Sequence, residues 1–369
     1  MIAKALFWTS LGALAWTHAG YPLAAAALAR VRPRRVRKDE ITPTVTVIVP
    51  AHDEEEVIAG RLDNLLELDY PQYDVVVASD GSTDRTSDVA AAHGARVLEL
   101  SRGGKTRALD AAVRVADAEI VAFTDANARW ERDALRKLVR SFADPDVAYV
   151  CGQLRLESAD GTNREGLYWR YELLVRNAES RLASITAGNG AIYALRRADY
   201  IEQDDVRSGH DFALPYQLAQ RGRRAVYEPE AVAWEKPARD LEDEYRRKVR
   251  MFARSWQHVA TGRVLRGGGR VFLFEIVSHR VLRYASGLLH VVLLGTSVAL
   301  VGDGRVYQVA LGAQLGWLGL AAAGRLRVPL PGASLAYYYA LVTWATVAGL
   351  ARYLREGAPA VWEKAEGTR

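Results

Sequence analysis

The sequence predicts an α/β domain with a mostly parallel sheet, flanked by interfacial and transmembrane helices. Three observations predict it. Short apolar runs rich in β-branched residues recur between positions 45 and 227. Helical patterns lie between most of them, which implies parallel strands covered on both faces. Long apolar segments stand before and after this block, the first followed directly by a cluster of arginines.

Composition narrows the partners. The chain has 369 residues, a net charge of +5 and one cysteine, Cys151. A single cysteine excludes an intrachain disulfide framework and fits a reducing compartment. Arg30, Arg32, Arg34, Arg35, Arg37 and Lys38 crowd together just after the apolar start. No aromatic residues are interleaved for base stacking, so a lipid bilayer rather than a nucleic acid is the expected partner. Ala27-Leu28-Ala29 resembles a signal-peptidase site. However, the apolar stretch of 2–28 reaches spanning length, which takes roughly 20 residues, and the charges beyond it oppose export. An uncleaved anchor over 1–29, with the following domain in the cytoplasm, is the expectation.

A basic linker over 30–43 leads into a soluble block over 44–237. Strands are expected at 45–49, 73–78, 96–100, 120–124, 147–151, 191–194 and 225–227. The helix predicted over 54–68 sets Val57, Ile58, Leu62, Leu65 and Leu66 on one face, with Asp53 as its N-cap. A second, over 84–93, ends at Gly94, a natural stop residue. Amphipathic helices over 241–259 and 271–284, rich in arginine, read as interfacial within 238–284. Apolar segments at 285–301, 306–323 and 333–351 read as spans within 285–354, before a tail over 355–369. Four spans would put the tail outside, whereas Arg352, Arg355, Lys364 and Arg369 favour the cytoplasm.

Chemistry is concentrated in the loops after the strands. The run Glu119-Ile-Val-Ala-Phe-Thr-Asp125-Ala-Asn127 carries a buried strand straight into a carboxylate and an amide. In open α/β sheets ligands sit beyond the carboxyl ends of strands, and phosphate-carrying Mg²⁺ takes a few protein oxygens there. Pro50-Ala51-His52-Asp53, Ser79-Asp80-Gly81-Ser82-Thr83-Asp84 and Gly103-Gly104-Lys105-Thr106 follow the first three strands. Lys105 stands where an ammonium could neutralise a diphosphate near a helix N-terminus, although a P-loop's first glycine is missing. An acceptor sugar needs an aromatic platform; Trp256 is the first choice, with Trp169 and Trp130 behind it.

The ordered set Val47-Ile-Val-Pro-Ala-His-Asp-Glu-Glu, Ser-Asp-Gly-Ser-Thr-Asp, Phe-Thr-Asp-Ala-Asn, Gly188-Asn-Gly-Ala-Ile-Tyr193, Gly209-His-Asp211-Phe and Arg247-Lys-Val-Arg250 resembles family 2 glycosyltransferases. With the flanking segments, it is similar to their membrane-bound branch of hyaluronan, chitin and cellulose synthase relatives. The resemblance implies a GT-A fold and an inverting transfer from a nucleotide-sugar, usually a UDP-sugar, to a growing polysaccharide or lipid-linked glycan. A polyprenyl-phosphate glycosyl synthase is the runner-up, and a catalytically dead nucleotide-sugar-binding scaffold a third reading. Carried over by position, Pro50, Ala51, Asp53, Asp80, Lys105, Asp125 and Ala126 would bind the nucleotide-sugar. Asp125 and Asn127 would hold Mg²⁺ or Mn²⁺, Asp211 would be the general base, and Arg250 with Arg247 would steady the leaving group. This chain departs from the family in three places. Asn127 replaces the second metal-motif aspartate, Gly209-His210 replaces Thr-Glu, and Arg247 and Met251 replace Gln and Trp. His210 could assist the base or cap a helix.

Overall fold

A computed structural model describes residues 1–157, 164–205, 207–237 and 240–358. Among them the strands are β1 (Val45–Ala51), β2 (Tyr73–Asp80), β3 (Arg96–Leu100), β4 (Ile120–Phe123), β5 (Arg129–Trp130), β6 (Val147–Leu156), β7 (Tyr193–Arg196) and β8 (Arg224–Glu235). The helices are α1 (Ile2–Ala15), α2 (Tyr21–Val31), α3 (Ile58–Leu66), α4 (Thr86–Ala92), α5 (Lys105–Val115), α6 (Ala134–Val139) and α7 (Arg164–Leu182). They continue with α8 (His210–Gln220), α9 (Leu241–Ala260), α10 (Gly269–Glu275), α11 (Leu282–Ala299), α12 (Arg305–Arg325) and α13 (Ala333–Glu356).

The strands form one mixed, mostly parallel sheet in the order β3-β2-β1-β4-β7-β6-β8-β5. Strands β1 to β4 run parallel, with Val45 opposite both Tyr73 and Ile120. β7 is antiparallel to β4 and to β6, while β8 is parallel to β6. The carboxyl ends of β1, β2, β3, β4, β6 and β8 therefore share one edge, and β7 begins there. Alternation in β1 feeds two cores, as a pleated strand requires. Val45, Val47 and Val49 pack with α3 and α6, and Ile48 packs with α5 and α8.

Sequence and structure differ at several elements. β6 and β8 run well past their expected ends, because each remains paired to its neighbour as far as Leu156 and Glu235. β5 was not expected; it forms because Arg129 and Trp130 pair with Trp234 and Ala233. Residues 54–57 turn tightly before α3, which opens at Ile58 behind Val57, so Asp53 is not its cap. Leu66 faces outward at 65 % exposure instead of joining that helix's apolar face. Gly94 does close α4, with φ of 77° and its N–H on the carbonyl of Ala91.

The long apolar helices also differ from the expected segments. α10 and α11 are joined by a π-helical stretch (Ile276–Val281) into a single helix, Gly269–Ala299, rather than a surface helix followed by a separate span. That helix and α12 are, among the described residues, the two long and apolar enough to cross a membrane. α1 packs on them through Phe7 and Leu14 against Leu293, Leu300 and Tyr307. α9 packs along α13. There a Cβ on Gly349 would come within 2.6 Å of the Phe252 Cβ. Lys364 and Arg369 lie outside the described residues.

Polar ties fasten this bundle to the sheet domain. Tyr21 donates to Glu179 at 2.9 Å, and His279 Nδ1 lies 2.7 Å from the same carboxylate oxygen. Arg283 meets Glu172 at 2.8 Å. The basic linker is strapped along the domain: Arg34 pairs with Asp146 at 2.8 Å and Lys38 with Glu228 at 2.7 Å.

Candidate functional site

The parallel strands bring the four chemistry-bearing loops to one edge, where they are laced together. Asp53 follows β1 in a left-handed conformation, φ 49°, which an aspartate tolerates better than most residues. Its Oδ1 accepts from the Thr83 backbone N–H at 2.7 Å, while its own N–H donates to Ser82 Oγ at 3.2 Å. Pro50 and Ala51 end β1 and are buried beneath this loop pair.

Asp80, the last residue of β2, is 1 % exposed. Its Oδ1 accepts from Gly103 N–H at 2.6 Å, its Oδ2 from Gly104 N–H at 2.9 Å, and Arg102 Nη1 lies 3.1 Å away. Asp80 is thus a strut that shapes the loop before α5. The Gly103 and Gly104 amides both point at this carboxylate. Gly104 needs its φ of 91° to make that turn.

Lys105, the first residue of α5, reaches back and forms an ion pair with Asp125. Burial alone would lower the lysine's affinity for its proton. The Asp125 charge and hydrogen bond outweigh that and hold the ammonium above the ordinary range. Gly190, in the loop entering β7, forms the opposite wall. A Cβ there would lie 3.1 Å from Asp125 Oδ2 and 3.3 Å from Lys105 Nζ. Ala126 turns its methyl into the core below, and Asn127 is half-buried in the same loop. Beneath them Arg61 is buried, donates to Thr124 Oγ1 at 3.0 Å and stacks over Trp130.

Asp211 lies in the first turn of α8, which opens at Gly209, φ 67°. Its backbone carbonyl accepts from the Gly188 N–H at 2.7 Å, so the glycine loop that walls Asp125 also holds Asp211. Asp211 and Asp125 both act electrostatically on Lys105. His210 does not join them and forms no cap hydrogen bond. It is buried beside Tyr200 and Asp110, with its Nε2 3.3 Å from the Tyr200 hydroxyl.

The remaining expectations divide. Arg247 is engaged by Glu244, with Nε and Nη2 donating at 2.8 and 3.0 Å, yet its charge still reaches Glu235. Arg250 is half-buried one turn further along α9. Trp256 is not an acceptor platform: its indole is 9 % exposed and donates to the Thr346 carbonyl on α13 at 2.9 Å. Trp130 is 1 % exposed and donates to Ala191, and Trp169 donates to Leu154. All three rings are bound up in packing.

A carboxylate that no motif singles out, Glu235, ends β8 on the same edge. Burial, with Asp125 beside it, pushes its carboxyl up to about 7, against the opposing pull of Arg247 and Lys105. The signal was present: Ala231-Val-Ala-Trp-Glu235 is an apolar run that delivers a carboxylate, as the run to Asp125 does. Asp125 and Asn127 offer a carboxylate and an amide oxygen of the kind a hard divalent cation takes, and the missing side chain at Gly190 leaves the cradle open.

Residues 46–203 match the model of glycosyl transferase family 2. Poly-beta-1,6-N-acetyl-D-glucosamine synthase of Staphylococcus aureus (strain COL) is 23% identical over 202 residues, covering 52% of this chain and 49% of that protein. Probable glycosyltransferase YdaM of Bacillus subtilis (strain 168) is 26% identical over 239 residues, 59% of this chain and 56% of that one. The chain thus spans about half the length of the curated relatives it matches. Among solved structures, mannosyltransferase PcManGT from Pyrobaculum calidifontis, in complex with GDP-Man and Mn²⁺, superposes with a TM-score of 0.73. It is 26% identical, and the match covers 95% of this chain and 99% of that one.

Proposed function

From the premise that this chain carries a glycosyl transferase family 2 domain, we propose that it is a membrane-bound, inverting, metal-dependent glycosyltransferase. It takes a sugar from a nucleotide-sugar and places it on a growing polysaccharide or lipid-linked glycan at the cytoplasmic face of the membrane. One observation carries this reading. Lys105, Asp125 and Gly190 meet at the carboxyl edge of the sheet, and the Gly188–Gly190 loop also holds Asp211. The nucleotide-sugar and cation in the PcManGT complex support a donor of the same class here.

The chemistry asks two things of the site. An acceptor hydroxyl is a weak nucleophile, so Asp211 takes its proton as the new glycosidic bond forms. The departing nucleoside diphosphate gains charge, so positive groups must face it. Asp125 would hold the Mg²⁺ or Mn²⁺, which supplies Lewis-acid stabilisation to that diphosphate. Arg250, with Arg247 behind its Glu244 partner, adds fixed positive charge from α9. Lys105 sits at the same point and orients Asp125 through their ion pair. Direct attack from the face opposite the leaving group inverts the anomeric centre and needs no enzyme nucleophile.

The test is to incubate the purified protein with a panel of UDP- and GDP-sugars and candidate acceptors, measuring nucleotide release, product mass and anomeric configuration. Asp211→Asn is expected to abolish transfer while donor binding persists, and EDTA is expected to stop turnover until Mn²⁺ or Mg²⁺ is restored. Full turnover by Asp211→Asn would remove it as the base. A product with the donor's anomeric configuration would overturn inversion. A lipid phosphate carrying one sugar, with no longer products, would move the reading to a polyprenyl-phosphate synthase.

A further inference from the structure

The Asp125-Ala-Asn127 loop offers a cation one charged ligand and one neutral amide, and a diphosphate-bound cation is usually met by one or two carboxylates. The fold supplies a second carboxylate from a distant part of the chain. β8 runs in the same direction as β4, because β7 reverses once and β6 reverses back. Glu235, the last residue of β8, therefore emerges at the edge where β4 delivers Asp125. The register fixes its position more closely. β5 pairs antiparallel with β8, Arg129 opposite Trp234 and Trp130 opposite Ala233. Continuing that register by one residue sets Glu235 beside Ala128, the residue that follows Asn127. The loop from β4 to β5 thus crosses the sheet edge with Glu235 alongside it.

The charges around Glu235 agree. Asp125 acts on it most strongly, followed by Arg247 and Lys105. Among the described residues no side chain hydrogen-bonds or pairs with its carboxylate, whereas Glu228 and Glu244 each have bonded cations. Among the described residues the two carboxylates at this edge carry one ion pair, Lys105 to Asp125, which leaves room for a further positive charge.

We propose that Glu235 is the second anionic ligand of the cation held at Asp125, supplying the charge that Asn127 lacks. The inference rests on the metal–diphosphate reading of the site, and its test separates the two. Full-length protein in detergent micelles is titrated with Mn²⁺ in the presence of GDP or UDP, and free Mn²⁺ is read by electron paramagnetic resonance. Glu235→Gln is expected to weaken Mn²⁺ binding about tenfold or more, as loss of one charged ligand should. Adding Asn127→Asp to that variant is expected to restore affinity to within a few-fold, since the charge is then supplied from the loop. Glu235→Ala is run in parallel, so that a folding defect peculiar to one replacement does not decide the result. If both Glu235 variants bind Mn²⁺ like the parent while Asp125→Asn loses it, Glu235 is not a ligand and the metal reading stands. If Asp125→Asn also binds like the parent, the metal reading itself falls.

Discussion

Gly188 donates its backbone N–H to the carbonyl of Asp211 over 2.7 Å, and a Cβ at position 188 would lie 2.2 Å from the Tyr149 hydroxyl. No side chain fits there without moving Tyr149 or the loop. Gly188→Ala should therefore displace Asp211 relative to Asp125. Turnover should fall on the order of 100-fold, because small misplacements at a reacting centre are costly. Stability should fall by about 1–3 kcal/mol from overpacking. Steady-state kinetics alongside thermal unfolding check both, and an unchanged kcat would show that the tether does not position the base.

On the proposed metal reading, Lys105 and the cation compete for Asp125. Lys105→Met should tighten Mn²⁺ binding in the absence of nucleotide by roughly tenfold, about 1.4 kcal/mol, because the cation no longer displaces an ammonium. The same variant should bind donor more weakly, since a positive charge facing the diphosphate is gone. Paramagnetic titration with and without nucleotide separates the effects. Weaker Mn²⁺ binding without nucleotide would mean that Lys105 and the cation do not share one carboxylate.

Trp256 should behave as a packing residue. Trp256→Phe keeps most of the ring and loses the hydrogen bond to Thr346, so it should cost about 1 kcal/mol of stability. The acceptor KM should not change. Trp256→Ala should cost about 3–5 kcal/mol by opening a cavity between α9 and α13. A rise in acceptor KM for the phenylalanine variant would restore the ring as a sugar platform.

Glu228 links stability to pH. It is completely buried, which alone would raise its pKa, but hydrogen bonds from Arg140 and Lys38 prevail and hold it below the ordinary carboxylate range. Its folded pKa is thus lower than its unfolded one. The stabilisation is present above about pH 4.5 and is lost as pH falls through the folded value. Arg140→Ala leaves Lys38 and the Glu230 N–H against a buried carboxylate and should cost on the order of 3 kcal/mol at neutral pH. That deficit should shrink as acid protonates Glu228. Thermal unfolding at pH 7 and pH 4 reads it, and a deficit that grows on acidification would reverse the sign.

Much of the site was legible because strand-following loops carry their chemistry locally. Asp125 ends an apolar run, and Ser79-Asp80-Gly81-Ser82-Thr83-Asp84 reads as a turn with polar hands. What those hands hold was not legible. Asp80 accepts from the Gly103 and Gly104 amides, a tie that its place at a strand end does not announce. Asp53 was expected to cap α3, but it ties its loop to Thr83. In both cases the partner lies more than twenty residues away, beyond the reach of local pattern.

The amino-acid sequence by itself determined the alternation of strands and helices, the apolar segments around them and the carboxylates at the strand ends. These depend on periodicity and residue type, which are local properties. Tertiary structure alone decided which carboxylates share a space. Gly190 and Lys105 converge on Asp125 because β7 enters where β4 ends, and Glu235 arrives because β8 continues as far as its pairing with β5. It also decided that Trp256 is packed against α13 and that residues 269–299 form one helix. Such outcomes depend on strand order, register and helix packing, and these are settled by contacts between segments that the chain itself keeps far apart.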